Sequence, residues 1–283
     1  MRILIGYNGS EASKAALGDY SLMGLQDANE LLIISVAEAW LPPKTTEEAD
    51  ELGREAASEL SANFPALKIK TAVATGSPAN EILAEAAKFE PDMIIVGEPR
   101  EQADRSNLFL GHTTQKILAG APCSVRIARA PLDGNPHPER LLVAFDGSAG
   151  SISAVNVIAD RTWPKETEVR LVAVADSSVL GTIGRFTPQM KDSAVETKFA
   201  VQWAESLAAS SLERLRVADI KATVEVRFGN PKDEIIREAD EWNADTIFAG
   251  PHAAANSFER FLIGSVSSAI AARAHCSVEI VRC

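Results

Sequence analysis

The sequence has little with which to build a metal centre or a disulfide framework. Of its three cysteines, Cys123 and Cys276 fall at matching places in two similar stretches, Cys283 stands apart, and no CxxC or Cys/His cluster at ligand spacing occurs. Buried structural thiols in a reducing compartment are expected. There is no run of Lys and Arg, and the formal charge is −11. That balance argues against a phosphate backbone, and so against nucleic acid, as the main partner. No apolar run approaches the roughly 18 residues of a membrane span, and the apolar stretch after Met1 and Arg2 is only about five residues, shorter than the core of a signal peptide. A soluble cytoplasmic protein without membrane contact is expected. Catalytic signatures are missing too: no Gly-Lys pair for a P-loop, no GxGxxG after a strand, no HExxH and no GxSxG. His112, His137, His252 and His275 stand without partners at usable spacing, so no catalytic residue can be named.

What the sequence does contain is a repeat. Gly76-Ser77-Pro78-Ala79-Asn80-Glu81-Ile82 returns as Gly229-Asn230-Pro231-Lys232-Asp233-Glu234-Ile235, Gly97 and Gly111 return as Gly250 and Gly264, and Ala121-Pro122-Cys123-Ser124-Val125 returns as Ala274-His275-Cys276-Ser277-Val278, all 153 positions later. The starts of the two units, Ile5-Gly6-Tyr7-Asn8-Gly9-Ser10 and Val143-Ala144-Phe145-Asp146-Gly147-Ser148, lie 138 apart, so the second unit carries a 15-residue insertion. The 283 residues divide into a domain at 1–129, a linker at 130–139 marked by Pro131, Gly134, Pro136 and Pro138, and a domain at 140–283. The insertion falls at 176–193 and is read as a loop leaving the second strand of the second unit.

Each unit alternates apolar strands with amphipathic helices. Strands are predicted at 2–7, 30–36, 68–74, 93–96 and 123–128, with helices at 10–22, 45–62, 77–89 and 113–118 between them. The second unit repeats the order, with strands at 140–145, 168–175, 221–228, 246–249 and 277–281 and helices at 150–159, 193–217, 231–242 and 265–272. Nearly unbroken apolar strands imply burial on both faces, and alternation with helices implies a parallel, doubly wound α/β sheet with right-handed crossovers. Ser77-Pro78 and Asn230-Pro231 each place a capping side chain before a proline at the first helical position.

In such a sheet a ligand binds beyond the carboxyl ends of the strands, where strand order reverses. In the second unit the first strand leads into Asp146-Gly147-Ser148 and the fourth into Gly250-Pro251-His252-Ala253, followed by a helix that opens at Gly264-Ser265. A carboxylate can accept hydrogen bonds from two ribose hydroxyls, and glycine backbone and a helix N-terminus can approach phosphates. Each signal has an ordinary structural counterpart: Asp-Gly-Ser also makes a turn and helix cap, and a glycine before a helix is often a packing residue. Their conjunction at two strand ends points to a nucleotide-shaped site without a P-loop lysine. In the first unit Asn8, Arg100, Gly111 and His112 stand at the corresponding places, and the site is read as degenerate. Arg185, in the inserted loop, is either a cover for a bound phosphate or merely solvated.

These residues resemble those of the universal stress proteins, and the whole chain is similar to a tandem member with two domains. The resemblance implies five-stranded parallel sheets of order 3-2-1-4-5 with helices on both faces, paired through their terminal strands as an intramolecular pseudo-dimer, with association of two chains as a homodimer. ATP-binding members carry an Asp after the first strand and G-x-x-G-x9-G-[ST] after the fourth. The second unit matches at Asp146, Gly250, Gly264 and Ser265; Ala253 stands at the second glycine, and ten residues, not nine, separate it from Gly264. By resemblance Asp146 holds the ribose, the backbone at Val174 the adenine, and Gly250, Gly264 and Ser265 the phosphates, with Gly147, His252, Ala253 and Val266 completing the nucleotide site and Mg accompanying ATP. The implied function is a stress-response protein whose adenine nucleotide governs its contacts. A nucleotide-free interaction scaffold and a slow ATPase are the alternatives.

Overall fold

The structure is a computed structural model and describes residues 1–20, 23–24, 30–38, 45–99, 110–130, 139–175, 193–250 and 264–282. The first half runs β1 (Arg2–Gly6), α1 (Glu11–Asp19), β2 (Glu30–Ala37), α2 (Thr46–Asn63), β3 (Lys68–Thr75), α3 (Pro78–Phe89), β4 (Met93–Gly97), α4 (His112–Gly120) and β5 (Ser124–Ala128). The second runs β6 (Arg140–Ala144), α5 (Ala149–Ala159), β7 (Glu168–Ala175), α6 (Ser193–Val217), β8 (Lys221–Phe228), α7 (Pro231–Trp242), β9 (Thr246–Ala249), α8 (Ser265–Arg273) and β10 (Ser277–Ile280). The helix starts differ by a residue from the sequence reading because Ser10 and Thr45 stand outside their helices as caps. The Ser10 hydroxyl accepts from Ser13 N, and Thr45 and Glu48 form a reciprocal capping box. Asn230 Oδ1 accepts from Lys232 N at 3.0 Å. Ser77 makes no side-chain cap bond, so that half of the capping expectation fails, and Pro78 alone marks the start.

All ten strands form one sheet in the order β3-β2-β1-β4-β5-β10-β9-β6-β7-β8. Each half is parallel with the order 3-2-1-4-5. The two halves meet at the centre, where β5 and β10 run antiparallel with Ile127 opposite Val278, Arg126 opposite Glu279 and Val125 opposite Ile280. A strand's side chains alternate between faces, and here the alternation separates two kinds of interior. Val125, Ile127, Val278 and Ile280 join one apolar cluster that runs through both halves beneath α3, α4, α7 and α8. On the opposite face the apolar clusters are separate, one under α1 and α2 and one under α5 and α6. Arg126 and Glu279 lie on that second face. Among the described residues no helix is long and apolar enough to cross a membrane.

Candidate functional site

Strand order reverses between β6 and β9, and a cavity of about 490 Å3 lies at their carboxyl ends. Its lining includes Asp146, Val174, Gly250, Gly264, Ser265 and Val266. Six of the nine residues named from sequence therefore meet in one place. His252 and Ala253 lie outside the described residues, as do Arg100, Arg185 and all of the inserted stretch 176–193 but its last residue.

Gly147 is not in the described lining. Its φ of +73° is the left-handed conformation that favours glycine, and a Cβ there would stand 2.4 Å from Leu207 Cδ1. Its role is to turn the chain from β6 into α5 under that side chain. The turn is reinforced by Asp146, whose Oδ1 accepts from Ser148 N at 2.9 Å, while the Ser148 hydroxyl caps α5 by accepting from Ser151 N. Asp146 is exposed and lines the cavity.

Gly250 is also required by packing. A Cβ on it would lie 2.1 Å from Gly150 C, inside the backbone of α5. In the first half a Cβ on Gly97 would lie 1.8 Å from Ala12 O. These glycines let the end of the fourth strand touch the first helix, and in doing so they bring the cavity floor close to the start of α5.

The adenine end expected at Val174 follows from unequal strand lengths. The β6–β7 ladder ends at Ala144 opposite Val172, with Phe145 N donating to Val172 O at 3.0 Å. Residues two apart on a strand turn their peptide groups to the same side. Val174 therefore directs its N–H and C=O over the end of β6, beyond the last rung. Trp203, from α6, lines the cavity as well, and sequence reasoning missed it. Its heptad neighbourhood offered one signal: Ala200, Ala204 and Ala208 form the buried stripe of α6, and Trp203 sits at the edge of that stripe.

At the phosphate end, α8 begins after Gly264 with no side-chain cap. The first bond of its ladder is Ser268 N to Gly264 O, so the N–H groups of Ser265, Val266 and Ser267 lie ahead of it, where the helix dipole is positive. Ser267 Oγ donates to Gly250 O at 3.0 Å and ties this helix start to the end of β9.

The first half builds the same frame around a smaller cavity. Its cavity is about 130 Å3 and is lined by Tyr7, Asn8, Glu38, Gly97, Thr113 and Thr114 among others. At the start of α4, Glu98 Oε1 accepts from Gly111 N at 2.6 Å and its Oε2 accepts from Thr114 Oγ1 at 2.5 Å. A carboxylate of the protein thus sits beside the start of α4, and Pro251, outside the described residues, stands at the equivalent sequence position in the second half. Glu38 adds a second negative charge. Asn8 makes the same turn as Asp146, accepting from Ser10 N at 3.1 Å. Gly111 and His112 take the places of Gly264 and Ser265. Burial pushes the thiols of Cys123 and Cys276 up to about 11 and about 12, respectively, so neither is a ready nucleophile.

The model of the Universal stress protein family matches residues 1–129 and 138–282. Over 147 residues the chain is 33% identical to a Staphylococcus aureus protein named for that family, a match covering 51% of this chain and 84% of the other. Two solved structures share the fold over 99% of the chain. One is a universal stress protein from Archaeoglobus fulgidus, 20% identical, with 98% of its chain covered and a TM-score of 0.67. The other, from Pseudomonas aeruginosa, is 16% identical, with 92% covered and a TM-score of 0.61.

Proposed function

We propose, from the premise that this chain belongs to the universal stress protein family, that its second domain binds an adenine nucleotide, ATP foremost, and that occupancy alters the surface offered to protein partners. The observation that carries this reading is the pairing of an uncapped helix start with an exposed aspartate and an unextended strand edge in a cavity of about 490 Å3, within the 300–1,000 Å3 typical of small-ligand sites. Asp146 holds the ribose, the Val174 peptide the base edge with Trp203 as a flat wall beside it, and the N–H groups of Ser265 and Val266 the phosphates. Mg accompanying the nucleotide would shield phosphate charge, and Asp146 is the one carboxylate among the described lining residues. No described group in the cavity is placed as a general base, which ranks hydrolysis as a slow side reaction at most. Residues 130–139 act as the linker between domains 1–129 and 140–283.

For the first domain a scaffold role is favoured, because its cavity is only about 130 Å3 and the carboxylates of Glu38 and Glu98 lie in it or beside the start of α4. Titration calorimetry with ATP, ADP and AMP tests the proposal. One site per chain is expected, and Asp146→Ala should weaken it about 10- to 100-fold, the worth of a hydrogen bond to a charged group. An absence of binding, or equal affinity after Asp146→Ala, would overturn it.

A further inference from the structure

The centre of the sheet carries a buried cluster of charges that the nucleotide reading does not use. Arg126 of β5 and Glu279 of β10 face each other with no exposed surface, flanked by Asp19 of α1 and by Arg161, which follows α5. Arg126 Nη2 donates to Asp19 Oδ1 at 3.0 Å within its own half. Across the seam it donates to Glu279 Oε2 from Nη1 at 3.2 Å and to Thr246 Oγ1 at 3.0 Å. Arg161 grips Glu279 with two bonds, of 2.9 and 2.5 Å, and Ser277 Oγ donates across the seam to Asp19 Oδ1 at 3.3 Å. The cluster sits between the two separate apolar clusters of that face.

Around it the two halves are related by a pseudo-twofold axis that most contacts respect. Arg129 N donates to Ser277 Oγ at 3.1 Å, and Arg282 N to Ser124 Oγ at 3.0 Å. The Arg129 guanidinium reaches Ala271 O and Cys276 O at the end of α8, and that of Arg282 reaches Leu118 O and Ala121 O at the end of α4. The charge cluster breaks this symmetry at every position. By the two repeat offsets Arg126 corresponds to Glu279, Met93 to Thr246, Asp19 to Val157 and Met23 to Arg161. Each half therefore brings one acid and one base, but at different places.

We infer that this cluster is a pairing code: the terminal-strand edge of each half accepts the other half and rejects a second copy of itself. Two first halves would set Arg126 against Arg126, with Met93 where the Thr246 acceptor stands. Two second halves would set Glu279 against Glu279, with each Thr246 deprived of its guanidinium. In like pairs Asp19 would still pair Arg126 and Arg161 would still pair Glu279, but buried like charges opposed at a strand pair are unfavourable, and each would lose its partner across the seam. The partner that this edge fits is the complementary half, in the same chain or exchanged crosswise between two chains.

The test starts from the full chain with a protease site placed within 131–138. The folded protein is cleaved, taken through urea to let the halves re-sort, refolded, and weighed by native mass spectrometry. Only pairs of one first half with one second half are expected. Glu279→Gln should then admit pairs of two second halves while pairs of two first halves stay absent, whereas a purely structural role would lower every pair alike. Like pairs in statistical proportion in the wild type, or an unchanged composition for Glu279→Gln, would overturn the inference. The uncut chain supplies a second measurement that needs no re-sorting. Glu279→Lys, which faces Arg126 with a like charge, should lower the melting temperature by on the order of 10 °C, and more than Glu279→Gln does. Equal losses for the two variants count against the code.

Discussion

At the scale of single residues, the difference between the two sites comes down to what stands at a helix start. Glu98 delivers a carboxylate to Gly111 N and Thr114 Oγ1 at the start of α4, its sequence counterpart is Pro251, and among the described residues no side chain caps α8. An anion at a helix N-terminus is worth about 0.3–1 kcal/mol, and a hydrogen bond to a charged group somewhat more. Glu98→Ala should therefore cost the fold about 1–2 kcal/mol in urea denaturation. The same change should add a pyrophosphate site at α4 to the one expected at α8, read as a rise from one to two sites per chain in titration calorimetry. An unchanged stoichiometry would show that the narrow walls of the first cavity, and not the carboxylate, close it. Asn8 against Asp146 is a weaker contrast than sequence comparison implies, since both make the same turn with the residue two ahead.

At the scale of elements, the phosphate-side glycine turns out to be a contact between a strand end and a helix start. With Gly150 C 2.1 Å from the position of its Cβ, Gly250→Ala forces β9 and α5 apart. A loss of at least about 2 kcal/mol is expected, as for overpacking elsewhere, with the urea slope unchanged. If stability held and only nucleotide affinity fell, the glycine would be serving the ligand instead of the packing. Trp203 lines the same cavity. Trp203→Leu should leave the melting temperature within a few degrees of wild type, as expected for a partly exposed position, and weaken nucleotide binding measured by calorimetry. Wild-type affinity in that variant would remove Trp203 from the site.

For the molecule as a whole, the seam between β5 and β10 ties stability to pH. Burial alone would raise the Glu279 carboxyl, but Arg161 and then Arg126 outweigh it and hold it below its ordinary value of 4.5. A depressed folded-state pKa means that the carboxylate's contribution is complete above about 4.5 and is lost as pH falls through the folded value. In thermal melts the advantage of wild type over Glu279→Gln should be constant at neutral pH and shrink in the acid range below about 4.5. An advantage that grew on acidification would reverse the sign assigned to this group.

The repeat, the alternation of strands and helices and the positions of Asp146, Gly264 and Ser265 are legible in the sequence because they rest on local chemistry: periodicity, turn residues and caps. From these follow the α/β class, the two domains, the strand order by family resemblance, and the region where a ligand would sit. Other features depend on residues far apart in the chain. Whether Gly250 serves a phosphate or a helix is decided by Gly150, 100 positions earlier; whether the first site is open is decided by where Glu98 meets Gly111 and Thr114. The wall at Trp203 depends on how α6 crosses the sheet. Above all, Arg126 and Glu279 read as two unrelated charges in apolar strands until β5 and β10 pair antiparallel. Local patterns determine which elements form, but a buried charge is settled only by the partner that the tertiary structure places against it.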